Sequence, residues 1–476
     1  MAIAVGAILI FPAIRWVQKL SLKPLLKPYL TAQIPDFRAI GFYQQIPNRA
    51  GADWVPVSGL RSTPAFNGKL QIPEQQTSLQ DFIRINTAFM EQTPKLLFAA
   101  NMPDIPNSFD NINGINQSAA ALAITARFYH IRLEYDIAQN DLSEAMGDLK
   151  IIHQTLIELA KFPYVFANYY FLQSIAHETT AIGRVLNCVD VPSAQLTEIA
   201  AMLRQSGQLL PESFKGGISG QAYYILFAPM AERKQAIGCL IYPRGVIEPG
   251  MILPVRNNYS LQKLWQRERF FIKYFSFARS GLFDFQSRFN DNKAWRVYQN
   301  DLKSRSGMEY WKNDVDIYQL YLDNINGLAK IRLAQIATAV RMFELQNHRT
   351  PAGIAELISQ KLISQDQSVD PFTQKTIDYA RGTFPVLQEI RYFGNRRQDH
   401  FEDCPTIRLI CMAQAQTLQY FVVNKIKHPQ IIGDSNKIYK NSKALGDDDH
   451  YVAKVPDFSK IEQNSTLQPC RPGVKD

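Results

Sequence analysis

Between Ala121 and Ala138 the apolar residues Ile124, Phe128, Ile131 and Tyr135 recur three and four positions apart, the spacing that lines one face of a helix. Asn140-Asp141 breaks the pattern, and Asp141 is a good cap for a following helix through Leu159. That helix carries Ala145, Leu149, Ile152, Leu156 and Leu159 on one stripe. Pro163 stops it, and a third helix is expected from Val165 to Asn187. Ser193 then caps a helix to about Gln205, and another starts near Pro211-Glu212 and runs past Tyr223 and Phe227. The pattern predicts antiparallel helical hairpins. They are similar in style to tetratricopeptide pairs but lack that repeat's period of roughly 34 residues.

The pattern is different on either side of these hairpins. Ile34 to Gln117 is rich in Pro, Asn, Gln and Gly, and predicts irregular chain interrupted by one helix from Ser78 to about Gln92, with Pro94 just past its end. Gly245 to Pro254 is turn-rich, and Tyr259-Ser260 opens a helix through Ala278. In that helix Lys263, Arg267, Arg269 and Lys273 alternate with Phe270, Phe271, Tyr274, Phe275 and Phe277, which reads as a wet cationic face opposite a buried aromatic one. Further on, Leu333, Ile336, Ala337, Val340 and Phe343 predict another helix. Thr350-Pro351 is a restart signal for a short second helix lined by Ile354, Leu357, Ile358 and Leu362. Asp370-Pro371 marks a turn. Thr376 to Arg381 and Val386 to Phe393 alternate like the strands of a hairpin, with Gly382 to Pro385 between them. The apolar piece from Thr406 to Val423 has no clear period.

These signals predict a mainly α protein: antiparallel helical hairpins or a bundle, with a small C-terminal α+β module of helix, short helix and β-hairpin. The implied segments are 1–30, membrane-associated; 31–117, irregular with one helix; 118–325, helical hairpins; 326–400, the C-terminal module; and 401–476, an extension.

Composition adds little. Hydrophobic residues make up 46% and charged residues 20% of 476 positions, which excludes wholesale disorder. The +9 charge is spread thinly and reads as a solvated basic surface, with no nucleic-acid partner expected. The five cysteines, Cys188, Cys239, Cys404, Cys411 and Cys470, show no metal-type spacing. Pairing of Cys404 with Cys411 or Cys470 in an oxidising compartment and buried free thiols are both compatible with the spacing.

Ala2 to Ile14 is apolar throughout and is followed by Arg15, Lys19, Lys23 and Lys27. A spanning helix needs about 20 apolar residues, so this run is a marginal span or a signal-type region. The alternation of Lys with Leu, Pro and Tyr from Arg15 to Leu30 also suits a lipid surface. Membrane attachment is expected here. The positive-inside rule would keep the following chain in the cytoplasm.

No catalytic constellation stands out. His177-Glu178-Thr179-Thr180 begins like a zinc-protease helix but has Ala181 where the second histidine belongs. Gly217-Ile218-Ser219-Gly220-Gln221 begins like a nucleophile elbow but ends in Gln and has no preceding strand, so it reads as a flexible break between helices. Gly446-Asp447-Asp448-Asp449-His450 lacks calcium-loop spacing and reads as a solvated acidic loop. The seven histidines are scattered, and no phosphate-cradling glycine loop occurs. No residue is assigned a catalytic, cofactor-binding or metal-ligating role, and no cofactor is expected.

The order helix, x-Pro restart, short helix, Asp370-Pro371-Phe372-Thr373, Lys375, Ile377, Tyr379, Tyr392 and Gly394 resembles the C-terminal half of the major pseudopilins of type II secretion. It looks still more like a group of uncharacterised membrane-anchored bacterial proteins with an N-terminal apolar segment, a helical middle and this ending. Pro254-Val255-Arg256-Asn257-Asn258 also resembles a Pro-x-x-Asn step of that group. His348 and Gln374 stand where those relatives usually have glycine, and Thr350 where they have an aromatic residue. The acidic ending that binds calcium in pseudopilins is reduced to Asp399, Glu402 and Asp403, and Phe11 stands where a pseudopilin glutamate would follow Gly6. Neither calcium binding nor filament assembly is therefore expected. The resemblance implies a single-pass or peripheral inner-membrane protein with its bulk in the periplasm. Its expected role is non-enzymatic, binding a protein partner in a groove along the hairpins. A cell-envelope enzyme of hydrolase type with dispersed site residues and a cytoplasmic peripheral membrane protein are the alternatives.

Overall fold

Asn140 and Asp141 build the first hairpin turn. Asn140 takes the left-handed conformation (φ 58°), and the Asp141 amide reaches back to the Asp136 carbonyl at 2.8 Å, closing the preceding helix. The Asp141 carboxylate then accepts from the Glu144 amide at 3.1 Å and caps the next. The protein is seen here as a computed structural model that describes residues 33–40, 86–99, 103–107, 111–188, 190–227, 317–393, 396–412, 417–423 and 430–433, with a few isolated positions before residue 84. The expected helix from Tyr259, the Pro254–Asn258 step, the Gly446–His450 run and nearly all of segment 1–30 lie outside the described residues.

The helices are α1 (Thr87–Leu97), α2 (Ile112–Ala138), α3 (Leu142–Leu159), α4 (Val165–Cys188), α5 (Ser193–Phe227), α6 (Ile317–Asn347) and α7 (Ile354–Ser359). The strands are β1 (Ile34–Pro35), β2 (Asp104–Ile105), β3 (Asp378–Phe393), β4 (Arg396–Met412), β5 (Thr417–Val423) and β6 (Gln430–Gly433). The fold is mainly α. Helices α2 to α6 pack on one another around a continuous apolar core, and α6 lies against both α4 and α5. Every residue of the α3 stripe is completely buried, as are Ile336, Ala337, Val340 and Phe343 of α6. β1 pairs with β2 antiparallel, and the Ser118 hydroxyl fixes that entry to α2 by accepting from the Phe37 amide and donating to the Pro35 carbonyl.

Three helical expectations need correction. α1 runs to Leu97 with Pro94 inside it, rather than ending at Gln92; the Phe98 amide still reaches the Pro94 carbonyl at 3.0 Å. α5 is one helix with Pro211 inside it, not two. A mid-helix proline presses on the carbonyl four residues back, and here that residue is Gly207. The short helix α7 begins at Ile354, beyond Thr350-Pro351, because Glu356 reaches back to the Ala352 amide at 2.6 Å and pairs with Arg349.

The hairpin is also differently built. Gly382 to Pro385 lie within β3, and the partner strand is β4, paired with it from Phe393 against Arg396 onward. The sheet order is β5-β4-β3-β6, with β6 parallel to β3. Proline cannot donate to a ladder and is confined to positions with a free side. β6 covers β3 only from Glu389, and β5 covers β4 only from Thr406, so Pro385 and Pro405 each sit just outside the doubly paired stretch. The piece from Thr406 to Val423 is the antiparallel pair of β4 and β5. Cys404 and Cys411 lie seven residues apart on β4, roughly 23 Å at about 3.3 Å per residue. They cannot pair, and Cys411 is a buried free thiol.

The Asp370-Pro371 turn forms as expected. The Asp370 carboxylate accepts from the Phe372 amide at 2.7 Å and the Thr373 amide at 3.2 Å. Its backbone bonds Lys375 and Gln374, and Arg332 of α6 donates to the Val369 carbonyl at 2.6 Å. Tyr379 donates to the Pro351 carbonyl at 2.7 Å, and burial pushes its phenol up to about 12.

Candidate functional site

The chemistry-bearing side chains of the helical core gather between helices in three knots. The first joins α3, α4 and α5. Glu178 is fully buried, with one carboxylate oxygen 2.6 Å from His153 Nδ1 and the other accepting from the Ser206 hydroxyl at 2.7 Å. His153 Nε2 lies 3.0 Å from Gln205 Oε1, so both ring nitrogens face polar side chains. Burial works against a charge on the ring, but the bonds to Glu178 and Gln205 outweigh it and hold the imidazole above its usual range.

Serine, histidine and a carboxylate within bonding distance suggest a hydrolase triad, but the connections differ. A triad places serine on the nitrogen opposite the acid, so that a neutral imidazole takes the hydroxyl proton. Here Ser206 lies 3.4 Å from the nitrogen that already faces Glu178, and its proton goes to the carboxylate. The arrangement fastens three helices and leaves Ser206 off the ring nitrogen that a triad would use.

The second knot is the pair His130 on α2 and His177 on α4, with Nδ1 atoms 3.0 Å apart. One ring must donate and the other accept. Burial first, then the charges of His130, Arg127 and Lys330, push His177 well below the usual histidine range. His177 and the adjacent Glu178 therefore turn to different helices, as successive helical residues do. Among the described residues, no group of three or more His, Cys, Asp or Glu side chains is placed to hold a metal ion.

The third knot lies under the α2–α3 turn. Arg132 sits 2.9 Å from Asp148, 2.7 Å from Glu144 and 3.6 Å from Asp136, with its guanidinium over the Tyr129 ring. Asp148 is fully buried, and burial pushes its carboxyl well above the usual range against the pull of Arg132. Deeper in the core an amide pair pins α4, α5 and α6. Asn324 donates to Asn168 Oδ1 at 2.8 Å, and Asn168 donates back to Asn324 at 3.3 Å and to Ser213 at 3.0 Å.

Ser219 is not at a break between helices: it is buried inside α5. Its glycine neighbours serve packing, because a Cβ on Gly220 would stand 1.9 Å from the Pro163 carbonyl oxygen and one on Gly217 3.0 Å from that of Tyr164. Asp399, Glu402 and Asp403 are strand residues of β4.

The sequence reading passed over His153, Ser206 and Asp148, although the spacing contains a signal for each. Ser206 falls between Leu203 and Leu210, His153 between Leu149 and Leu156, and Asp148 between Ala145 and Ile152, three and four positions from buried neighbours. A polar residue in a core position of a helix must find a partner across it. No protein family, curated protein or solved structure matches the chain. Among the described residues, no helix is long and apolar enough to cross a membrane.

Proposed function

We infer that this chain is a non-enzymatic protein of the bacterial cell envelope, attached to the inner membrane through residues 1–30, that binds a protein partner along its helical hairpins. The observation that carries the non-enzymatic part is the connection of the first knot, where Ser206 and His153 both bond the Glu178 carboxylate. The envelope assignment rests on the resemblance of the C-terminal module. What supports it is that His348 and Gln374, at positions where the relatives usually carry glycine, adopt φ values of 52° and 58°, the region glycine favours.

Two other readings each have an observation in their favour. The proximity of Ser206, His153 and Glu178 favours an envelope hydrolase, and the bond of Ser206 to the carboxylate rather than to the far ring nitrogen counts against it. The basic residues Arg15, Lys19, Lys23 and Lys27 favour a cytoplasmic peripheral protein. A reporter active only outside the cytoplasm, fused after Asp476, separates the compartments: activity supports the envelope assignment, and activity of a cytoplasmic reporter instead overturns it. Photo-crosslinking residues at the exposed positions Lys150 and Arg204 should give one discrete protein adduct in cells, and failure of both overturns partner binding along this face.

A further inference from the structure

A contact made by two imidazoles does not hold at every pH. His130 on α2 and His177 on α4 meet Nδ1 to Nδ1 at 3.0 Å, with their rings edge to face and the centroids 5.2 Å apart. One nitrogen donates, and the other must be bare to accept. A protonated imidazole carries hydrogen on both nitrogens. At least one ring of the pair is therefore neutral while the contact holds, whichever it is. His177 is buried and His130 partly buried, so breaking the bond in place leaves a desolvated nitrogen without its partner.

We propose that the His130–His177 contact is an acid-sensitive clasp between α2 and α4, which holds while one imidazole is neutral and opens when both take up protons. The charges around the pair favour that response. Arg127 precedes His130 by three positions and lies on the same face of α2. α6 runs parallel to α4, with Asn324 bonded to Asn168 and Arg341 to the Leu186 carbonyl, offsets of 156 and 155 residues. That register sets Lys330 level with Ser174, one turn before His177. Burial, and after it the charges of His130, Arg127 and Lys330, oppose a proton on His177. The nearby acids are engaged elsewhere. Glu178 bonds His153 of α3 and Ser206 of α5, and Asp148 and Glu144 of α3 pair with Arg132 of α2. β5, which also meets α4, has Tyr420 as its one ionisable residue.

The sign follows from the bare nitrogen. Below the ordinary histidine value of about 6.5 both rings of the opened pair are charged, whereas the closed pair holds at least one proton fewer. The stability of the contact is therefore fully present above that value and is lost as pH falls towards the lower value of the closed pair. Across that window the opening constant rises about tenfold per pH unit, then levels off. The first knot responds in the opposite direction, because His153 is held above its usual range, and so cannot imitate this slope.

Native-state amide exchange of the full-length protein, corrected for intrinsic chemistry, reads the opening constant at residues 127–131 and 175–179, around the two rings. The wild type should show the tenfold slope on acidification, and His177→Gln, with only His130 left to titrate, should be flat. Nitrogen NMR of the wild type labelled at histidine should show, above neutral pH, a bare Nδ1 coupled across the hydrogen bond to a protonated one. That coupling should fade over the same pH window, and it needs no variant should His177→Gln not fold. A flat wild-type profile, a slope unchanged in folded His177→Gln, or spectra with no such coupled pair would each overturn the proposal.

Discussion

Removing the Glu178 carboxylate tests the first knot at its centre. In Glu178→Ala the His153 imidazolium loses the acceptor 2.6 Å away, and the buried Ser206 hydroxyl loses the one at 2.7 Å. Breaking a buried ion pair from one side costs about 3–5 kcal/mol, because the remaining charge stays desolvated. The orphaned hydroxyl adds about 1–3 kcal/mol, and the two are not additive, since His153 can release its proton. A loss of about 4 kcal/mol is therefore expected, which is a large part of the stability of a typical domain. Glu178→Gln keeps an acceptor for Ser206 and should lose about half as much. The pH profile adds a second check. The folded pKa of His153 is raised, so the stabilisation is fully present below the unfolded histidine value of about 6.5 and is lost as pH rises through the folded value. Urea unfolding followed by helical circular dichroism measures both effects. A loss in Glu178→Ala below about 1 kcal/mol, or a pH dependence in this range that persists in Glu178→Gln, would refute the account of this knot.

Other predictions concern packing and turns. Gly220→Ala places a methyl 1.9 Å from the Pro163 oxygen and forces α5 away from the α3–α4 turn, so thermal unfolding should show a loss of more than about 3 kcal/mol. Asp370→Ala removes the acceptor of two amide bonds in the turn and should cost about 1–2 kcal/mol, with amide exchange rising first at Phe372 and Thr373. His348→Gly relieves a left-handed conformation that costs an ordinary residue about 1–2 kcal/mol, so it should leave the melting temperature unchanged or raise it. Asn324→Ala breaks the amide pair linking α4 and α6 and should cost about 2–3 kcal/mol by the same urea assay.

The helices were legible in the sequence where one signal acts at a time. Asp141 with Asn140 gave the α2–α3 turn, and the α3 stripe is buried as its spacing implies. Reading failed where a local breaker is overruled by packing. Pro211 ends no helix within α5, which packs against α4 and α6, and Gly382 with Pro385 makes no turn because that part of β3 has a free side. The polar knots were missed for a different reason. Motif searching asks which residues stand near one another in the chain, whereas His153, Glu178 and Ser206 meet across three helices, and only their placement on apolar stripes marks them. The Asp370 turn was legible because its bonds are local: aspartate accepts from the two residues that follow Pro371.

The most direct test of the central claim, that Ser206 fastens helices and does no chemistry, is labelling of the native protein with a serine-reactive fluorophosphonate. The account predicts no adduct at Ser206, because its hydroxyl proton is held by Glu178 and the nearest imidazole nitrogen, 3.4 Å away, already faces that carboxylate. Stoichiometric labelling at Ser206 that disappears in Ser206→Ala would contradict it and make the protein a hydrolase.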